Sequence, residues 1–131
     1  MIEIEKINKL DFYDMYVLMC KAHNFPALHV DNIDEVYVQF KENTLTYSIF
    51  LYNTGSGMGL LGFPLSNLSV SSIFREGCLD KLFVDMEEIC KKKGYNLIWT
   101  VSATDRVIES LESNGYRKGD ESVQTYIKVV S

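Results

Sequence analysis

Disulfide and zinc chemistry have little to work with in this sequence. Its three cysteines, Cys20, Cys78 and Cys90, are odd in number and include no CxxC pair, so neither a cross-linked framework nor a structural metal site is indicated. Cys20 and Cys90 each fall within an apolar helical pattern, which predicts buried free thiols. No apolar run approaches the length needed to cross a bilayer. The first residues, MIEIEKINKL, alternate charged and apolar side chains instead of placing a basic stretch before a long apolar one, as a secretory signal would. A cytoplasmic location with no membrane partner is the expectation. Positive charge is also in deficit. Thirteen Lys and Arg stand against eighteen Asp and Glu, a net charge of −5, so the overall field repels phosphate backbones and nucleic acid is not expected as a partner. Internal repeats, linkers and low-complexity segments are absent.

The residues that are present favour a packed core. Of 131 residues, 47% are hydrophobic and 12% aromatic, whereas disordered chains are poor in both. This length suits one domain, taken as residues 1–131. Such a domain removes roughly two thirds of its unfolded surface from water. At about 25 cal/mol per Å² that burial offsets chain entropy without staples.

Residues 2–7 alternate with the two-residue period of a half-buried strand, and Asn8 to Asp11 supply polar helix starters. A broad apolar set from Leu10 to Ala22 predicts a helix. Pro26 breaks the pattern between His23 and Val30. Asp31 can then cap a second helix carrying Ile33, Val36, Tyr37 and Phe40 at i, i+3, i+4 and i+7. The competing reading is a strand beginning at Val36, because VYVQF also alternates. Thr44 to Tyr52, the glycine turn NTGSG and Met58 to Leu65 read as a hairpin. Leu68 to Phe74 reads as a further strand. REGCLDKLFVDMEEICKKKG, residues 75–94, places Leu79, Leu82, Phe83, Met86, Ile89 and Cys90 on one helical face. Gly94 is the stop, and the lysines at 91 to 93 suit the negative end of the helix dipole. Tyr95 to Ala103 reads as a central strand. Thr104 or Asp105 caps a helix with Val107, Ile108 and Leu111, ended by Asn114 and Gly115. After the polar turn RKGDES, Val123 to Val130 is β-rich. The order β-α-α-β-β-β-α-β-α-β predicts an α/β (α+β) fold with a mixed, mostly antiparallel central sheet flanked by helices.

GLLGFPLSNLSV at 59–70, FREGCLDKL at 74–82 and WTVSATDRVIESLESNGY at 99–116, taken in this order, resemble the GNAT superfamily of N-acetyltransferases over nearly the whole chain. The resemblance implies a fold in which the pyrophosphate of acetyl-CoA rests on backbone amides at a strand-to-helix turn. There the family carries Arg or Gln, two residues, Gly, one residue, then Gly or Ala. A helix N-terminus offers unsatisfied donors and partial positive charge, and glycine admits the phosphate close to the backbone. Gly77 takes the first glycine place, with Phe74 at the basic position and Leu79 at the second glycine. Shifting by one residue puts Arg75 at the basic position, with Cys78 and Asp80 at the glycine places, where an aspartate repels phosphate. The motif is degenerate in either register. The cofactor-binding residues implied are Val70, Ser71, Ser72, Arg75, Glu76, Gly77, Cys78 and Thr104, with no metal.

A later family motif supplies an Asn, an Ala three residues on and a Tyr four further along that protonates the departing thiolate. Those places hold Thr104, Val107 and Leu111, and leucine has no proton to give. Tyr95, Tyr116 and Tyr126 are alternatives. The fold's splayed gap between its fourth and fifth strands would be lined by residues 68–73 and 97–103. Ser69, Ser71, Ser72, Thr100 and Ser102 either meet a ligand there or face solvent. His23 and His29 flank Pro26 near the acceptor side, where an imidazole can take a proton from an ammonium. Two functions are therefore open. One is transfer of acetyl from acetyl-CoA to a primary amine. The other is an inactive GNAT-like binding, inhibitory or structural protein with a protein partner and an exposed apolar patch including Phe63, Phe74 or Tyr52. Small phage-encoded proteins of similar size, virion components among them, are one place where such divergent members occur.

Overall fold

The computed structural model describes residues 1–102, 104–119 and 126–130. Along β1 (Ile2–Ile7), Ile2 and Ile4 pack on one face of the sheet, whereas Glu3 and Glu5 are exposed on the other, where Ile7 joins the opposite core cluster at the end of the strand. The Asn8 side chain then accepts the Leu10 amide at 2.8 Å and starts α1 (Lys9–Ala22). Phe12, Tyr16, Met19 and Cys20 fall at i, i+4, i+7 and i+8 and form the buried face of this helix.

The expected second helix, capped at Asp31 and carrying Ile33, Val36, Tyr37 and Phe40, does not form. A single 3-10 turn at Val30–Asn32 leads into β2 (Glu35–Lys41), the competing strand reading. β2 lies between β1 and β3 (Thr44–Asn53), antiparallel to both. It is covered on both faces, with Val36 and Val38 packed in the α1 cluster and Tyr37 in the opposite one. A strand buried on both sides is apolar almost throughout, so it meets helical spacing by default. Glu42 and Asn43, both at positive φ (50° and 63°), make the tight link to β3.

The expected hairpin is present as β3 and β4 (Met58–Leu61), with Leu51 opposite Leu61. A two-residue strand, β5 (Leu65–Ser66), returns to pair with β3. The expected strand over Leu68–Phe74 is instead a series of turns. Polar side chains capture the local backbone there: Asn67 Oδ1 accepts the Ser69 amide at 3.1 Å, and Ser71 Oγ accepts the Phe74 amide at 3.2 Å. α2 (Cys78–Lys92) follows, burying Leu79, Leu82, Phe83, Met86 and Cys90 against the sheet. Gly94 ends it at φ 83°.

At the end of α2, Lys93 reaches Glu35 at 3.0 Å, and Lys6 reaches the same carboxylate at 3.0 Å. Burial opposes ionisation of Glu35, but hydrogen bonds from Lys93, Lys6, Asn53 and Tyr37 outweigh it and hold the carboxyl at about 2. This pins the far end of α2 to the start of β2.

β6 (Leu97–Thr100) runs parallel to β4, and α3 (Asp105–Ser113) packs Leu111 beside α2. The sheet order is β1-β2-β3-β4-β6, with β5 added on β3. Every described pair is antiparallel except β4 with β6. The mixed, mostly antiparallel sheet is thus sandwiched by α1 on one face and by α2 and α3 on the other. The central place expected for Tyr95–Ala103 is corrected: among the described residues β6 is the last strand of the sheet. Leu97 and Trp99 on its α1-side face are 55% and 54% exposed, because α1 covers only the β1–β5 half. Of the expected strand at 123–130, residues 123–125 lie outside the described residues, and Tyr126 to Val130 are exposed and not in a strand. All three cysteines are free and buried, and none of the described helices is long and apolar enough to cross a membrane.

Candidate functional site

β4 and β6 share a ladder from Met58 with Leu97 to Leu61 with Thr100 and then part. Thr100 Oγ1 donates to the Leu61 carbonyl at 3.1 Å where the shared ladder ends. The cause of the parting lies in β4. Between Leu61 opposite Leu51 and Leu65 opposite Ser48, three residues, Gly62 to Pro64, face two of β3, Ile49 and Phe50. The extra residue makes a bulge, which bends a strand away from its partner. Pro64 sits where a missing ladder amide costs nothing. Beyond the bulge, β5 follows β3 and leaves β6 behind. The arms of the opening are therefore Leu65–Ser66 and Val101–Ser102. Residues 68–73, expected to line it as a strand, are turns, and Ala103 lies outside the described residues.

The open edge of β5 is polar. Asn67 N–H bonds to Thr46 O of β3 at 2.8 Å. Backbone groups alternate along a strand, so the Ser66 amide and carbonyl point away from β3, into the opening. His23, the C-cap of α1, comes to that same edge, with Nε2 2.9 Å from the Ser66 carbonyl oxygen. His29 instead caps the 3-10 turn, its Nδ1 accepting the Asp31 amide at 3.2 Å.

The start of α2 lies on the other face of the sheet. Gly77 is its N-cap, at φ 79°, a left-handed conformation that glycine adopts freely. With no side chain capping the helix, the Cys78 amide turns back to the Arg75 carbonyl at 3.0 Å, and the amides of Leu79 and Asp80 meet no acceptor among the described residues. They border a concavity of about 350 Å³ lined by Arg75, Gly77, Asp80, Arg106, Glu109 and Ser110, among others. Two guanidinium groups and two carboxylates balance there. One carboxylate, Asp80, is engaged across to α3, accepting hydrogen bonds from Ser110 Oγ and, at 3.4 Å, from Asn114 Nδ2.

The residues expected to hold a cofactor divide into two sets. Arg75 and Gly77 border the concavity. Arg75 is 7% exposed: its Nε donates to the Val70 carbonyl at 3.3 Å, and its guanidinium lies over the Tyr47 ring with its carbon 5.8 Å from the centroid. It therefore fastens the Val70 turn as well as facing the cavity. Ser71 accepts the Phe74 amide, and Ser72 and Glu76 are exposed in the same turn. Cys78 is fully buried, and its carbonyl accepts from Gln39 Nε2 at 2.7 Å. Thr104 is the N-cap of α3 and does not line the concavity.

Sequence reasoning missed Arg106, Gln39 and Tyr47. Arg106 falls in the first turn of a helix read only for its apolar face. Gln39 carried a signal, a lone amide within the apolar run VYVQF, since a buried amide needs partners. Here it donates to Cys78 and accepts from Thr46 Oγ1 at 2.6 Å. Of the phenols considered, Tyr95 and Tyr116 line a separate concavity of about 400 Å³ near the C-terminal end of α2, and Tyr126 is exposed. The Tyr116 hydroxyl is buried with no hydrogen-bond partner, and burial pushes it up to about 12. The phenol beside the start of α2 is Tyr47, which accepts from Arg75 Nη1 at 3.5 Å.

Neither a protein-family model nor a curated protein sequence matches the chain. Solved structures do. An aminoglycoside acetyltransferase from an uncultured soil metagenomic sample, in complex with sisomicin, aligns over 98% of this chain and 97% of its own at 15% identity and TM-score 0.69. An acetyltransferase of Trypanosoma brucei aligns over 97% and 100% at 16% identity and TM-score 0.66. A predicted acetyltransferase of Clostridium acetobutylicum, with acetyl-CoA, aligns over 96% of each chain at 11% identity and TM-score 0.66. Strands that part after a bulge, a glycine-started helix beside them, and this likeness over nearly the full length establish that the chain has the fold of the GNAT acetyltransferases.

Proposed function

We propose that the protein transfers the acetyl group of acetyl-CoA to a primary amine at the opening between β5 and β6. The observation that carries this reading is the uncapped start of α2, with two unused amides, set beside parted strands. Those amides and the positive end of the helix dipole suit a pyrophosphate, and Arg75 and Arg106 add cationic charge at the same concavity. Asp80 and Glu109 oppose it, so the chain's own Asp80, held by Ser110 and Asn114, makes this a weaker anion site than a glycine-lined turn. The extended pantetheine arm, with its amides, suits a sheet edge whose Ser66 amide is directed outward, the Ser66 carbonyl being engaged by His23. Structures of the same fold holding acetyl-CoA in one case and an aminoglycoside in another support a thioester donor and an amine acceptor. In the reaction, the deprotonated amine attacks the thioester carbonyl carbon, the C–N bond forms, the C–S bond breaks, and the thiolate leaves to take up a proton.

A second reading, a GNAT-like binding or structural protein such as a virion component, is favoured by one observation. Leu97, Trp99 and Val101 are 40% or more exposed on the uncovered half of the sheet, and Phe63 is exposed nearby on the bulge. Such a patch suits a protein partner. The two readings separate on cofactor binding. Acetyl-CoA at high micromolar concentration is expected to raise the melting temperature, because a ligand bound by the native state alone stabilises it by about 2.7 kcal/mol at a hundred times its Kd. An unchanged melting temperature at millimolar acetyl-CoA contradicts transfer chemistry and leaves the binding role.

A further inference from the structure

His23 is held at the open edge of β5 by three contacts. Its backbone N–H closes α1 on the carbonyls of Met19 and Cys20, at 3.3 and 3.1 Å. Its ring stacks on Phe25, with centroids 5.2 Å apart and planes 12° apart. Its Nε2 lies 2.9 Å from the Ser66 carbonyl oxygen and 3.1 Å from Ser66 Oγ. A carbonyl oxygen only accepts, so the closer of the two contacts assigns the proton to Nε2, with the Ser66 hydroxyl as its second acceptor. The neutral ring then carries its lone pair on Nδ1, which makes no hydrogen bond among the described residues. The Ser66 carbonyl thus selects the tautomer and fixes the ring, as a hydrogen bond to one imidazole nitrogen does for the other. Since that carbonyl points into the opening, a ring bonded to it sits in the opening too. Among the described residues, neither α1, nor β5, nor the Phe25 loop brings a charged side chain into hydrogen-bond or ion-pair contact with the imidazole.

We propose that His23 Nδ1 is the proton acceptor for the amine substrate. The proposal rests on the acetyl-transfer reading and assigns a residue to it. An ammonium entering from the α1 side of the sheet gives one proton to Nδ1, and the free amine attacks the thioester carbonyl. The second nitrogen proton passes to the departing CoA thiolate, and the imidazolium returns its proton to solvent. The products are the acetamide, CoA thiol and one proton. Imidazole suits this role because it exchanges protons near neutrality.

The test compares wild type with His23→Gln, whose side-chain amide keeps a donor for the Ser66 carbonyl while removing the Nδ1 lone pair. Thiol release from acetyl-CoA is followed with sisomicin, spermidine and a lysine peptide, taking the fastest amine, and acetyl-CoA binding is measured in parallel. The expected result is a loss of kcat at neutral pH of about a hundredfold or more. Acetyl-CoA affinity and melting temperature stay unchanged, and the deficit shrinks as pH rises and the amine deprotonates unaided. A purely structural role for His23 leaves a deficit that does not shrink. That result, a His23→Gln enzyme within threefold of wild type, or bound acetyl-CoA with no amine-dependent release overturns the proposal while the cofactor site stands. Absence of acetyl-CoA binding by the wild type overturns the transfer reading itself, and this assignment with it.

Discussion

Replacing Gly77 with glutamate is expected to abolish the acetyl-CoA-induced rise in melting temperature, while asparagine at the same position keeps most of it. Gly77 sits at φ 79° with nothing within 4 Å of where a Cβ would stand, so conformation, not crowding, sets the cost of a side chain. That cost is about 1 kcal/mol for glutamate. Asparagine, which visits the left-handed region more readily, pays less. The two variants differ chiefly in charge. A carboxylate about 4 Å from a bound phosphate costs about 4 kcal/mol at an effective dielectric constant of 20, close to a thousandfold in affinity. A Gly77→Glu protein that keeps the full shift places the phosphates elsewhere. Loss in both variants indicates that the turn's conformation, and not its charge, was the essential feature.

Gln39→Leu should have the next largest effect, on stability and cofactor binding together. Gln39 is 0% exposed and ties Thr46 of β3 to the Cys78 carbonyl in the first turn of α2. Leucine leaves both partners buried without one of their hydrogen bonds. Thr46 Oγ1 keeps its bond to the backbone carbonyl of residue 39 at 3.1 Å, so at about 0.5–1.5 kcal/mol for each lost hydrogen bond, urea unfolding should show a loss of about 2 kcal/mol. Because the bond to Cys78 holds the start of α2 in place, acetyl-CoA affinity should fall in the single variant as well. A Gln39→Leu protein within about 0.5 kcal/mol of wild type, the range of ordinary surface changes, would show that the network does not hold the helix.

Elements whose sequence period admits one geometry were legible. β1 alternates Ile2 and Ile4 with exposed Glu3 and Glu5, α2 has an apolar stripe between Gly77 and Gly94, and the β3–β4 hairpin has glycines at its turn. Two misreadings share a different cause. β2 is covered on both faces, so Ile33, Val36, Tyr37 and Phe40 met helical spacing without encoding a helix. In Leu68–Phe74 the apolar residues suggested a strand, yet the side chains of Asn67 and Ser71 take over the backbone hydrogen bonds and turn the chain. Local competition of this kind is invisible to hydrophobic periodicity. Edge or centre depends on what pairs with a strand, which is why the segment of β6, with Leu97, Ile98 and Trp99 followed by Val101, reads as central in sequence.

The site was legible where a single residue carried the signal. Gly77 occupies the left-handed N-cap of α2, and Arg75 borders the same concavity. Partners distant in sequence were not legible: Arg106 from α3, Gln39 from β2 and Tyr47 from β3 converge on α2 only through the sheet. The bulge at Gly62–Pro64 is not legible in the sequence, because one extra residue is recognised only against the register of β3. His23 was singled out as a titratable loop residue. Its contact with Ser66, across 43 positions, is what gives it a place at the opening.

The central claim is that acetyl-CoA lies along the opening with its phosphates at the start of α2. Amide ¹H–¹⁵N shifts followed during an acetyl-CoA titration test it most directly. The account predicts the largest changes at Gly77, Leu79, Asp80 and Arg106, with a second group at Leu65 and Ser66. Changes centred on Tyr95, Asn96 and Tyr116, around the other concavity, or no changes at millimolar acetyl-CoA, would contradict it.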